Sequence, residues 1–358
     1  MRRFLKWVGG GLVALLLLVV ALLSPAAYVE AFCHAEPGTQ DYAPLISSPE
    51  RQRREANTYL TYPEWHIVYA YDGLAEALKN GDEHGFDYWE SIRDFWKADC
   101  ALMRVADAHG GADGATRMTI ATIGVSFTLE MGLKAAYEET LGRFFAFLRG
   151  AEKTPQDVVA RDMAADYAAF LRQVPWYKYD FAKAVDDLWS APMPSLLRGW
   201  ERRLALGGEW KAKIAYAGAI ASAVEATGEA KLTIFSVVSG LSRQTLEGIS
   251  DVTVVEELPQ GFLIESPRYD RFTHILSEIA KAGGSIEEIA GNDDVMVSFT
   301  VAPDAAVTGL PKGQTIARFA RAGFGNERVL LSVKVKDLGD MMRAVLVADP
   351  GIEHVFDY

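Results

Sequence analysis

The sequence predicts an α+β protein with an N-terminal transmembrane helix, then an all-α helical bundle, then a C-terminal α/β sandwich. Three observations carry this. A charge-free run of 23 residues, Trp7 to Val29, stands near the start; helical periodicity with capping signals fills positions 60–228; β-branched runs begin after Lys231. The segments are 1–30 for the anchor, 31–59 for a linker, 60–228 for the helical domain and 229–358 for the sandwich.

Arg2, Arg3 and Lys6 precede the apolar run without an acid among them. A helix of that length extends roughly 35 Å, enough for a hydrocarbon core of about 30 Å. Glu30, Glu36, Asp41 and Glu50 follow, so the positive-inside bias leaves the bulk of the chain outside the cytoplasm. A cleaved signal peptide is the rival: Leu12 to Leu23 is the densest stretch, Pro25 is expected to break the helix, and Val29-Glu30-Ala31 has a small-x-small pattern that would leave Phe32 first. Both fates export the chain, to a single-pass inner-membrane topology or to a secreted or periplasmic one. Glu30-Ala31-Phe32 is too charged and bulky to precede a lipidated cysteine, so Cys33 is expected to stay unlipidated.

Half of the 358 residues are hydrophobic and 23% are charged, enough for two ordinary domains beyond the anchor. The net charge is −12, and −15 without the three bases of the first six residues. Such a surface disfavours nucleic acid and repels an anionic bilayer, so any further membrane contact must be apolar. Cys33 and Cys100 suit one disulfide in an oxidising compartment; alternatively Cys100 is a buried free thiol on an apolar helix. No CxxC, CxxCH or HxxxH completes a metal or haem site at Cys33-His34, and neither metal nor cofactor is expected.

Within the helical part, Glu36 to Glu55 is polar and proline-bearing, and Thr61-Tyr62-Pro63-Glu64 spells a helix start by capping box, with the helix running to Asn80. Trp89, Ile92, Trp96, Leu102 and Met103 mark the buried face of a helix over 86–108. Met118 to Leu133 carries one charge, Glu130, and continues toward Arg149; at 16 residues it is short for a span and reads as a helix buried in protein. Thr154-Pro155-Gln156-Asp157 opens a fourth helix, and further helices are expected over 180–189, 195–206 and 209–226.

Strands are expected over 232–238, 252–255, 262–266, 295–301 and 329–335, with a hairpin turn at Gly291-Asn292-Asp293-Asp294. Helices over 270–282 and 338–348, a break at Asp349-Pro350-Gly351 and a last strand over 352–358 complete two strand–helix–strand units. This pattern suggests a ferredoxin-like sandwich with helices on one face of an antiparallel sheet.

The segments Tyr62-Pro63-Glu64-Trp65-His66-Ile67-Val68-Tyr69, Val174-Pro175-Trp176-Tyr177 and Trp200-Glu201-Arg202-Arg203 resemble an uncharacterised family of bacterial membrane-anchored proteins. The resemblance covers scattered parts of the helical half. It implies a bacterial source and an envelope address, and no catalytic residue.

No GxSxG elbow, P-loop or GxGxxG is present, and the six histidines have no metal-binding spacing. One polar cluster remains, with His66 sharing a helix face with Tyr62 and Tyr69, and Glu130 as a candidate neighbour. Burial would raise Glu130 and a nearby anion would favour protonated His66, an acid–base pair with Tyr62 and Tyr69 as ligand-binding candidates. A hydrogen-bonded core is the plainer account of the same residues. The paired acids Glu138-Glu139, Asp186-Asp187, Glu256-Glu257 and Glu287-Glu288 are expected to face solvent. The leading expectation is a membrane-anchored extracytoplasmic protein that binds a partner protein or an apolar ligand; the alternative is an extracytoplasmic enzyme using His66 and Glu130. A hydrophobe carrier would need a cavity between the third helix and Glu209 to Ala226.

Overall fold

The computed structural model describes residues 2–38, 42–227, 231–303, 313–345 and 351–358. Helix α1 (Arg2–Phe32) contains a stretch, Gly9–Phe32, long and apolar enough to cross a membrane, and almost none of it is covered by protein. Pro25 does not break it, contrary to expectation. Proline has no N–H for the Ala21 carbonyl one turn back, and the Ser24 hydroxyl donates to that carbonyl at 2.9 Å instead.

Helices α2 (Asn57–Leu60) and α3 (Tyr62–Asn80) follow each other directly. Thr61 is therefore already helical, and its hydroxyl donates to Thr58 O, so the expected capping box with Glu64 is not formed. Asp87 caps α4 (Tyr88–Ala108) and Asp113 caps α5 (Gly114–Tyr137) through their carboxylates. The chain continues through a π-helical turn, Glu138–Gly142, into α6 (Arg143–Arg149). The Thr154/Asp157 capping box opens α7 (Pro155–Leu171). After α8 (Phe181–Ser190), the two helices expected over 195–226 are one, α9 (Leu196–Thr227). Gly207 lies under the Trp189 indole, 3.2 Å from where a β-carbon would sit.

The α5 segment is not a core helix. One side, with Ile120, Gly124, Phe127, Met131 and Ala135, is buried, and a β-carbon on Gly124 would lie 2.6 Å from the Phe95 and Trp96 rings of α4. The other side is exposed.

The C-terminal part holds two four-stranded antiparallel sheets where one was expected. The first is β1 (Thr233–Ser239), α10 (Arg243–Glu247), β2 (Thr253–Leu258), β3 (Gly261–Pro267), α11 (Asp270–Lys281) and β4 (Ser285–Ile289), in strand order β2-β3-β1-β4. The second is β5 (Asp294–Val301), β6 (Gln314–Ala320), β7 (Glu327–Lys334), α12 (Val335–Val345) and β8 (Gly351–Phe356), in order β6-β7-β5-β8. The two orders are the same pattern repeated. The turn at Gly291 to Asp294 is not a hairpin: β4 pairs with β1 and β5 with β7 and β8, so the turn carries the chain from one sheet to the other. The break expected at Asp349-Pro350 lies outside the described residues.

Helices α11 and α12 pack together and share a core with both sheets, through Phe272, Leu276, Leu338 and Met341 against Ile286, Val297 and Val355. The opposite face of the second sheet, with Met296, Leu330 and Phe356, joins the core of the helical domain. Burial on both faces explains why β5 and β7 are apolar at most consecutive positions, with only Ser298, Thr300 and Ser332 intervening. The region read as a linker is part of the fold. Ile46 packs on Val237 and Leu263 of the first sheet, and Glu288 accepts from Tyr42 OH at 2.8 Å, Ile46 N at 2.9 Å and Leu45 N. Glu288 is thus fully buried rather than solvated, as is Glu138 to within 5%, because each carboxylate holds a second segment in place.

Candidate functional site

Helix α3 turns three faces to three different neighbours: the Tyr62 ring stays 6.0 Å from His66 and 6.3 Å from Tyr69, as the sequence had grouped them, while Glu130 meets another side of the helix. Toward α4 and α5, His66 lies edge-on to the Phe95 and Phe127 rings and donates from Nε2 to Ser91 O at 2.9 Å. Its Nδ1 is buried without a partner. Burial among these rings lowers the imidazole to about 3, so it is neutral at physiological pH. Toward the second sheet, Tyr62 meets Phe319 and Phe356, and Arg328 sits 3.4 Å over the Tyr69 ring while gripping Glu353 with two nitrogens. On the third side, the Tyr71 hydroxyl donates to Glu130, which pairs with Lys213 of α9 at 2.8 Å.

His66 and Glu130 therefore have separate partners and share no hydrogen bond. Burial alone would raise Glu130, but Lys213 and Lys134 outweigh it and hold the carboxyl below its ordinary value. Both shifts run opposite to those an acid–base pair requires. The α5–α9 seam is closed by Glu130–Lys213 and by Lys134–Glu209 at 2.8 Å, where a carrier cavity would have had to open.

A crevice does open elsewhere, at the C-terminal end of α1. Cys33, just past α1, is disulfide-bonded to Cys100 of α4; Phe32 O accepts from Arg104, and Asp107 accepts from His34 and Ala35 N. Between α1, α4 and α5 lies a cavity of about 300 Å³, walled by Ala26, Val29, Trp96, Met103, Met118 and Ile120. Besides Glu30 at its rim, two polar groups enter it. Asp99 is 3% exposed, and burial alone pushes its carboxyl up to about 7. Arg117 brings a buried Nε without a partner and lies 3.9 Å from Glu30 at the rim. Comparison with protein-family models, characterised proteins and solved structures gave no match.

Asp99 escaped the sequence reading because a lone acid on a helix carries no motif. Its apolar neighbours, Trp96 and Met103 at helical spacing, were the available signal. A second missed feature is a buried ionic network at the start of α9. Arg202 binds Glu83 at 2.9 Å, Glu138 at 3.1 Å and Glu201, while Arg198 binds Asp157 at 2.7 Å and Glu201 at 2.8 Å. The π-turn rotates Glu138 inward to meet Arg202, and Gly142 leaves space for its carboxylate. A third cluster joins Glu55, His109 and Asp294, whose ligand atoms lie within 4.8 Å of one another. There Glu55 is bonded to His109 and Asp294 to Lys334 at 2.6 Å, so the cations come from the protein itself.

Proposed function

We propose that the chain is a single-pass protein of a bacterial inner membrane whose folded part lies outside the cytoplasm and binds an amphiphilic small molecule at the foot of its anchor. The crevice beside Asp99 carries this reading. It is at the small end of ligand pockets in volume, mostly apolar, and has two polar groups to orient a guest. Asp99 suits the amine or hydroxyl of such a molecule, and α1 offers a lipid-exposed route for its tail. The basic flank Arg2, Arg3 and Lys6 supports the orientation, and the Cys33–Cys100 bond supports an oxidising compartment. We read each sheet unit as ferredoxin-like, by its strand order, and the helices around α3 as a bundle that holds the anchor. The acid–base reading of His66 and Glu130 has no support from their separate partners.

The test is the full chain purified from its membrane, with bound molecules identified by mass spectrometry, beside Ala121→Trp, which fills the crevice. An amphiphile retained by the wild type and lost from the variant is expected. Equal retention in both, or none in either, removes the crevice as a binding site.

A further inference from the structure

The exposed side of α5, α6 and the start of α9 is apolar over an unusual extent. Phe147 is 81% exposed and Met118 69%, with Leu133, Phe144, Leu196 and Leu204 all more than half exposed. Six charges on the same helices are turned away from this side, while Arg143 of α6 stays exposed. Glu130, Lys134, Glu138, Glu201, Arg198 and Arg202 are all spent on pairs inside the helical domain or along the α5–α9 seam. A face of this size on a strongly acidic protein marks a contact site.

The direction of the chain says what meets it. Beyond the disulfide, the segment leaving α1 runs alongside α4 in the same sense, from Cys33 at Cys100 to Gly38 at Asp107. Helix α5 then turns back against α4, with Gly124 at Phe95, Thr128 bonded to Trp96 and Glu139 bonded to Trp89. The far end of α5 and all of α6 therefore head back toward the side from which α1 arrives, the bilayer side. Trp189 and Trp200 pack edge to face at the border of the apolar region, and Arg203 and Lys211 lie 5.4 and 5.6 Å from the Trp189 ring. Aromatics with flanking cations suit the headgroup layer.

We propose that this face is seated in the outer leaflet of the bilayer that α1 spans, so that the protein holds the membrane by a span and by a monotopic surface. The proposal rests on the reading of α1 as a retained anchor. Arg143 lies at the exposed edge of α6 and is placed to meet phosphate.

The experiment uses the full chain in phosphatidylcholine vesicles that contain a phospholipid with a photoactivatable acyl chain, and adducts are mapped by peptide mass spectrometry. Adducts are expected on α1 and also on peptides from 143–149 and 196–204. In a Phe144→Glu, Phe147→Glu, Leu204→Glu variant the second set should fall at least tenfold while α1 labelling stays. Adducts confined to α1 overturn the proposal and leave the anchor reading intact. A chain without α1 adducts defeats the anchor reading itself. With a bifunctional protein crosslinker added to the same vesicles, links between the 143–149 peptides of two copies in place of lipid adducts assign the face to self-association and also overturn the proposal.

Discussion

Asp99 places a carboxyl group in an apolar wall, and its proton should be visible in the stability of the whole protein. Burial raises it from an ordinary aspartate value to about 7 in the folded state. The folded protein therefore holds a proton that the unfolded chain releases near pH 4. Stability from this group is fully present below that pH and is lost as pH rises through 7. A shift of this size corresponds to at most about 4 kcal/mol. Asp99→Asn should accordingly melt higher than wild type at pH 8, with the gap closing toward pH 5; a gap that does not change with pH would show that Asp99 is ionised in the fold. His66 is the counterpart. The sequence placed it correctly on one helix with Tyr62 and Tyr69, since spacing along a helix is local. It could not show that Phe95 and Phe127 flank it while Arg328 and Glu353 come from strands more than 250 positions away. Those are contacts of tertiary packing, which one sequence does not encode in any short pattern.

Helices were the most legible elements, because caps such as Thr154/Asp157 and apolar spacing are local signals. Strand β4 was missed for a physical reason: Ser285-Ile286-Glu287-Glu288-Ile289 looks solvated, yet Glu288 is buried to hold residues 42–46. The same blind spot hid the network at α9. Arg202 is wholly buried against three carboxylates, and replacing it by methionine takes the ion pair from Glu138 and leaves Glu83 and Glu201 with Arg198 alone. Arg202→Met should cost about 3–5 kcal/mol, read as a fall in denaturation midpoint. Exposed pairs such as Lys183–Asp187 give the control, since Lys183→Met should leave the denaturation midpoint nearly unchanged. Equal effects of the two substitutions would mean that the α9 network is solvated in solution.

The disulfide joins positions 67 apart and fixes the outer end of α1 to the helical domain. Chain entropy alone assigns such a bond about 4 kcal/mol. In a Cys33→Ser, Cys100→Ser variant, stability should drop by that order, and hydrogen exchange should rise first along Phe32 to Gly38; unchanged exchange there would show that His34 and Asp107 suffice as the clamp. A mature protein that starts at Phe32 would instead mean that α1 is removed, and intact-mass measurement decides it. The broad α+β division was legible from the change of period near Lys231, and so were β5, β7 and β8, whereas the split into two sheets was not, because β6 is nowhere fully buried and has no alternating pattern. The strap over 42–52 has a consequence for biogenesis. Tyr42 and Glu288 are 246 positions apart, and synthesis proceeds at about 5–20 residues per second. The strap thus emerges on the order of tens of seconds before the sheet it covers. Until then Tyr42, Leu45 and Ile46 stay uncovered, and folding closes onto these early residues only when the C-terminal half has been made.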